Sequence, residues 1–129
     1  MHNKTNKLGP REDGTLAPCP NRPNCVASSG SPRGKHRIEP LRADQGQWQK
    51  LPEVLESMAG ITVTEREGEY LRAKATTRVL KFVDDLEFLH RPDEQIIHVR
   101  SASRLGYSDL GANRKRVEAI RKRLEKAVG

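Results

Sequence analysis

Large aliphatic side chains are scarce in the first third of this chain, and that limits what the chain can build. Only Leu8, Leu16, Val26 and Ile38 fall within the first forty residues, which also hold six of the eight prolines and four of the ten glycines. Such a stretch buries too little surface to offset the entropy of ordering it. The expectation is a disordered tail over 1–15, an extended Pro/Gly-rich segment with a cysteine pair over 16–40, and a single α+β domain over 41–129. A length of 129 residues suits one domain. The longest stretch without a formal charge is ten residues, Pro23 to Pro32, too short for a membrane span. No apolar run follows Met1, so no secretory signal is read and a cytoplasmic location is expected.

Periodicity then assigns the elements. Asp44 followed by Gln47 is an N-cap signature. Trp48, Leu51, Leu55 and Met58 fall on one helical face. Pro52 removes a donor inside that pattern, which leaves either a short turn at 45–50 before a helix at 51–58, or one bent helix. Gly60 ends it. Four strand-like runs follow: Ile61 to Arg66, Tyr70 to Thr76, Phe82 to His90, and Ile96 to Ser103. Phe82, Asp84, Leu86 and Phe88 share one face of the third run. A last helix begins near Ser108 or Asp109 and runs to about Ala127, with Leu110, Val117, Ile120, Leu124 and Val128 as its stripe. Short connections favour an antiparallel four-stranded meander, with the N-terminal and C-terminal helices packed on one face.

Two groups of residues invite chemistry. Cys19 and Cys25 stand with five residues between them, two of them proline. They can be reduced thiols in a polar loop, a small disulfide loop, or, with His36, a partial metal site; the spacing is wider than the usual zinc pair. The second group is Asp84 and Asp85 with Arg100 and Arg104, near Ser101, Ser103, Tyr107 and Asp109. Paired carboxylates can do acid–base work, and arginine beside hydroxyls can hold an anion. The competing reading is an ion-pair and capping network in which Asp84, on the core face, takes Arg100 or Arg104 as partner. His90 and His98 flank the third turn, where they could face each other. No cofactor and no metal is expected, because neither a phosphate-cradling glycine loop nor a paired zinc motif occurs.

The net charge of +7 is uneven: +5 over residues 1–42, −4 over 43–99 and +6 over 100–129. Basic ends could touch nucleic acid, but single-strand platforms need exposed aromatics beside the basic groove, and the five aromatics mostly sit where core residues are expected.

Three blocks carry a resemblance. Leu-Ala-Pro-Cys-Pro-Asn-Arg-Pro-Asn-Cys-Val-Ala-Ser at 16–28, Phe-Val-Asp-Asp-Leu-Glu-Phe at 82–88, and Val-Arg-Ser-Ala-Ser-Arg-Leu-Gly-Tyr-Ser-Asp-Leu-Gly-Ala-Asn-Arg-Lys-Arg-Val at 99–117 resemble, in order, the signature blocks of the domain of unknown function 1499 family. The resemblance implies a bacterial family with plastid relatives, many with an N-terminal membrane or export segment. It brings no activity or catalytic residue. It adds weight to the cysteine loop and to the Asp84/Asp85 with Arg100/Arg104 cluster.

The function expected from all this is a small soluble, non-enzymatic binding or accessory module. Its candidate ligand-binding residues are Asp84, Asp85, Arg100, Ser101, Ser103, Arg104, Tyr107 and Asp109, and its partner an anionic small molecule or a protein. The alternatives are an enzyme using Asp84 or Asp85 as acid or base on an anionic substrate, and a nucleic-acid binder working through the basic tail and last helix.

Overall fold

The computed structural model describes residues 7–127. In chain order the elements are β1 (Cys25–Ala27), a single 3-10 turn (Gly34–His36), β2 (Leu41–Arg42), α1 (Gln45–Glu56), β3 (Ile61–Glu67), β4 (Tyr70–Thr76), β5 (Val83–Arg91), β6 (Ile96–Ser103) and α2 (Ala112–Lys126). All strands pair antiparallel in one sheet of order β1-β6-β5-β4-β3, with β2 beside β1 along the same edge of β6. The sheet therefore has six strands rather than four. The two additional ones are three and two residues long and lie in or just after the proline-rich segment. Local pattern cannot reveal them, because what makes them strands is the unpaired edge of β6.

Both helices cover one face of the sheet. Trp48, Leu51 and Leu55 of α1 and Val117, Ile120 and Leu124 of α2 close over Leu71, Ala73, Ala75, Leu86, Phe88, Ile97 and Val99. Ala73 and Ala75 of β4 are buried within that face. α1 is a single helix with Pro52 inside it, and Asp44 and Gln47 form a reciprocal capping box. Gly60 follows at φ 80°, and a Cβ there would lie 2.5 Å from the Thr76 carbonyl oxygen. The turn after α1 thus requires glycine on two counts.

Several expected placements differ. Phe82 lies outside β5 and is 52% exposed, because the strand begins one residue later. Leu110 precedes α2 and is 89% exposed. The segment expected as extended coil is part of the domain: Leu16, Val26 and Ile38 are buried. Of the expected tail, residues 1–6 lie outside the described residues. Of residues 7–15, Gly9 reaches the sheet face opposite the helices, where its N–H donates to Glu87 at 2.7 Å. His90 and His98 do not face each other. They sit on opposite faces, one register step apart. His90 stacks on Trp48 at 5.0 Å and bonds Glu69, while His98 meets the Ser28 hydroxyl. No helix among the described residues is long and apolar enough to cross a membrane.

Candidate functional site

Strand alternation divides the expected polar cluster between the two faces. On the helix side, Asp84 is buried and paired with Arg116 of α2 at 2.7 Å, not with Arg100 or Arg104. The carboxylate faces the helices, and only α2 can bring a guanidinium to it there. Asn113, fully buried one turn earlier on α2, joins the rest of this group. Its carbonyl oxygen accepts from the Ser101 hydroxyl and from Arg116, and its amide is aimed at Asp109, Ser103 and the Asn24 carbonyl. Asp109 also accepts from the backbone N–H groups of Gly111 and Asn113. Partial burial would raise its pKa, but these bonds outweigh it and hold the carboxyl below its ordinary value. The result is a closed clasp between β5, β6, α2 and the cysteine loop.

On the other face, Arg104 makes a two-pronged pair with Asp85 at 3.0 and 2.9 Å, with the Arg104 side chain half exposed. Next along β5, Glu87 is completely buried. It accepts from the Tyr70 hydroxyl at 2.6 Å and from Gly9, and it stands 3.8 Å from Arg100. Arg100 is 3% exposed and donates to the Pro18 carbonyl. Burial lowers the Arg100 pKa, against the pull of Glu87 and Asp85. Burial and the Glu87 bond raise that of Tyr70 well above its usual value. Arg72 donates to the Tyr70 hydroxyl, and its pKa is raised by that bond. One oxygen of Glu87 and the Nε of Arg100 are buried without a hydrogen-bond partner among the described residues.

A third arrangement lies at the edge. Cys19 and Cys25 are joined by a disulfide with Cα atoms 5.6 Å apart, which ties the N-terminal segment to β1 and removes the thiols from any metal set. His36 is turned onto the Cys25 carbonyl at 3.0 Å. Between the cysteine loop, the 3-10 turn and the β6–α2 loop run two adjoining shallow cavities of about 320 and 310 Å³. Pro23 and Lys35 line both; Ser108, Asp109, Leu110 and Arg114 line the first, and Arg22, His36 and Tyr107 the second. Arg114 holds the 3-10 turn in place by donating to the carbonyls of Lys35 and Arg37, and Arg121 does the same to Glu39 and Pro40.

Of the expected residues, Asp84, Ser101, Ser103 and Asp109 belong to the clasp, and Asp85, Arg100 and Arg104 to the opposite face. Tyr107 and Asp109 border the groove. The sequence reading missed Tyr70, Arg72, Glu87, Asn113, Arg116 and Lys35. Glu87 alone was signalled, since it stands two residues after Asp85 and so shares its face.

The profile of the family described as "Protein of unknown function (DUF1499)" matches residues 15–124. No curated protein and no solved structure matches the chain.

Proposed function

The chain belongs to the DUF1499 family, and we propose that it is a non-catalytic binding module that takes an anionic ligand in the groove beside the cysteine loop. The observation that carries this reading is the groove lining, where Arg22, Lys35 and His36 border one cavity together with the exposed Tyr107. A shallow basic channel with one aromatic wall suits an extended acidic chain or a planar anion. Asp109 lines the first cavity as a carboxylate, so the anion is expected in the second, beside Arg22, Lys35 and His36. The clasp is the framework that positions the β6–α2 loop.

The acid–base alternative has less support. Asp84 and Asp85 are each held by an arginine, and neither lines the groove. The nucleic-acid alternative loses part of its basis in α2, where Arg114, Arg116 and Arg121 point inward onto backbone carbonyls and Asp84.

The test is an NMR titration of the full chain with tetraglutamate and, separately, with inorganic phosphate. Amide shifts centred on residues 22, 35, 36 and 107 with one of the two probes, lost in Lys35→Glu, are expected. If neither probe moves these resonances, the reading fails.

A further inference from the structure

Six large hydrophobic side chains stand exposed among the described residues, and all of them lie in two loops. Val79, Leu80 and Phe82 connect β4 to β5; Leu105, Tyr107 and Leu110 connect β6 to α2. Their exposures run from 52% to 89%, too high for residues at the margin of a core. Scattered single exposures need no explanation, but concentration at one place does.

Both loops leave the same end of the sheet. Thr76 is opposite Val83, and Asp84 is opposite Ser103. The Arg104 N–H donates to the Val83 carbonyl at 3.1 Å, so the loops are joined at their bases. The cysteine loop abuts the second one: Asn24 donates to the Gly106 carbonyl, and the Asp109 N–H to that of Pro23. Lys81 and Leu110 have φ of 58° and 54°, so each loop contains a side-chain-bearing residue in the left-handed region.

Cations outnumber carboxylates at this end. Arg22, Arg78, Lys81 and Arg104 are exposed. Of the two carboxylates nearby, Asp85 offsets Arg104, and Asp109, bonded to Asn113 and Gly111, keeps its charge, so four cations stand against two carboxylates.

We propose that this end of the domain docks on an anionic lipid surface. The tips of the two loops enter the headgroup boundary, and the basic residues meet the phosphates. A protein partner would be expected to meet a contiguous apolar centre with a polar rim. Here the apolar side chains stand in two short loop runs, Arg78 to Phe82 and Arg104 to Leu110, each opened by a cation, an arrangement that a fluid interface accommodates side chain by side chain. Tyr107 fits the headgroup level, where an aromatic ring with one polar end is favoured. The inference does not rest on the groove reading.

The experiment is vesicle flotation with the full chain, using phosphatidylcholine alone and an equal mixture of phosphatidylcholine and phosphatidylglycerol. Binding to the mixed vesicles only, weakening with salt, is expected. The double variant Leu80→Ser/Leu105→Ser keeps every charge and avoids the groove; it should lose roughly tenfold in partitioning. Arg78→Gln and Lys81→Gln should each lose roughly fivefold. All four positions are exposed, and an unchanged circular dichroism spectrum confirms that each variant is folded. Absence of wild-type flotation with the mixed vesicles at low salt overturns the proposal. So does a leucine double variant that floats like wild type, since the binding is then nonspecific charge attraction. Retention on immobilised polyglutamate without vesicle binding assigns the surface to an acidic protein and also overturns it.

Discussion

The two faces of the sheet are buried by different means. The helix face is closed by two amphipathic helices over a continuous apolar cluster, and its one buried carboxylate, Asp84, has a close guanidinium partner at 2.7 Å. The opposite face is covered by irregular chain tied down through the disulfide, with Leu16, Tyr70 and Leu89 as its apolar cluster among the described residues and with Glu87 and Arg100 buried 3.8 Å apart. The first depends on burial of apolar area, the second on a buried polar network and a covalent tie. Burial of apolar area tolerates small adjustments of packing. A buried polar network does not, because each group left without a partner carries its full desolvation cost.

The largest expected effect separates the faces directly. Phe88→Ala opens a cavity at the centre of the helix face and should cost about 3–5 kcal/mol in urea unfolding. Leu16→Ala, beneath the N-terminal segment, should cost less, about 2 kcal/mol. Equal losses would show that the second face is as cohesive as the first.

Next come the buried ion pairs. Arg116→Met leaves Asp84 uncompensated and should cost about 3 kcal/mol, and the double variant with Asp84→Leu should recover most of it. Arg100→Met should strand Glu87 with a comparable loss. Arg104→Ala, which removes a half-exposed partner, should change stability by less than about 1 kcal/mol. Double-mutant cycles in denaturant measure all three. A loss at Arg104 as large as that at Arg100 would contradict the geometry.

Reduction of Cys19–Cys25, or the pair Cys19→Ser/Cys25→Ser, should cost about 2 kcal/mol, as expected for a short closed loop. The effect should be local. The amides of Gly9 and Leu16, which bond Glu87 and Ser29, should gain hydrogen-exchange rate, while those of β4 and β5 keep theirs. Uniform loss of protection would mean that the two faces form one cooperative unit.

The smallest effect concerns acid. Asp109 is held below its ordinary 3.8 in the folded state by accepted hydrogen bonds. Its contribution is therefore present above 3.8 and is lost as the pH falls through the lower folded-state value. Melting curves from neutral pH downward should show a shallower acid decline in Asp109→Asn than in wild type.

Most of the helix face was legible in the sequence; Phe82 and Leu110 were the exceptions, and both lie in loops. The capping box at Asp44 and Gln47, the burial of Trp48, Leu51 and Leu55 on α1 and of Val117, Ile120 and Leu124 on α2, and the inward position of Asp84 follow from local capping and from periods of 3.6 and 2, while Val128 of the expected stripe lies outside the described residues. The candidate site was legible only as a set of residue types near one another in the chain. Asp84 and Asp85 are adjacent in sequence, yet alternation places one under α2 and the other on the opposite face, so a single cluster became two.

By itself, the sequence determined where helices and four of the strands form and which side chains they turn inward, because backbone sterics and hydrophobic spacing act over a few residues. Only the tertiary structure decided that short segments of the proline-rich stretch become strands on β6, that Asp84 takes Arg116, and that Glu87 and Arg100 are covered by the N-terminal segment. Those outcomes depend on which unpaired edges and uncompensated charges meet in space. The residues concerned stand up to 82 positions apart, as Pro18 and Arg100 do, and no local pattern carries information over that distance.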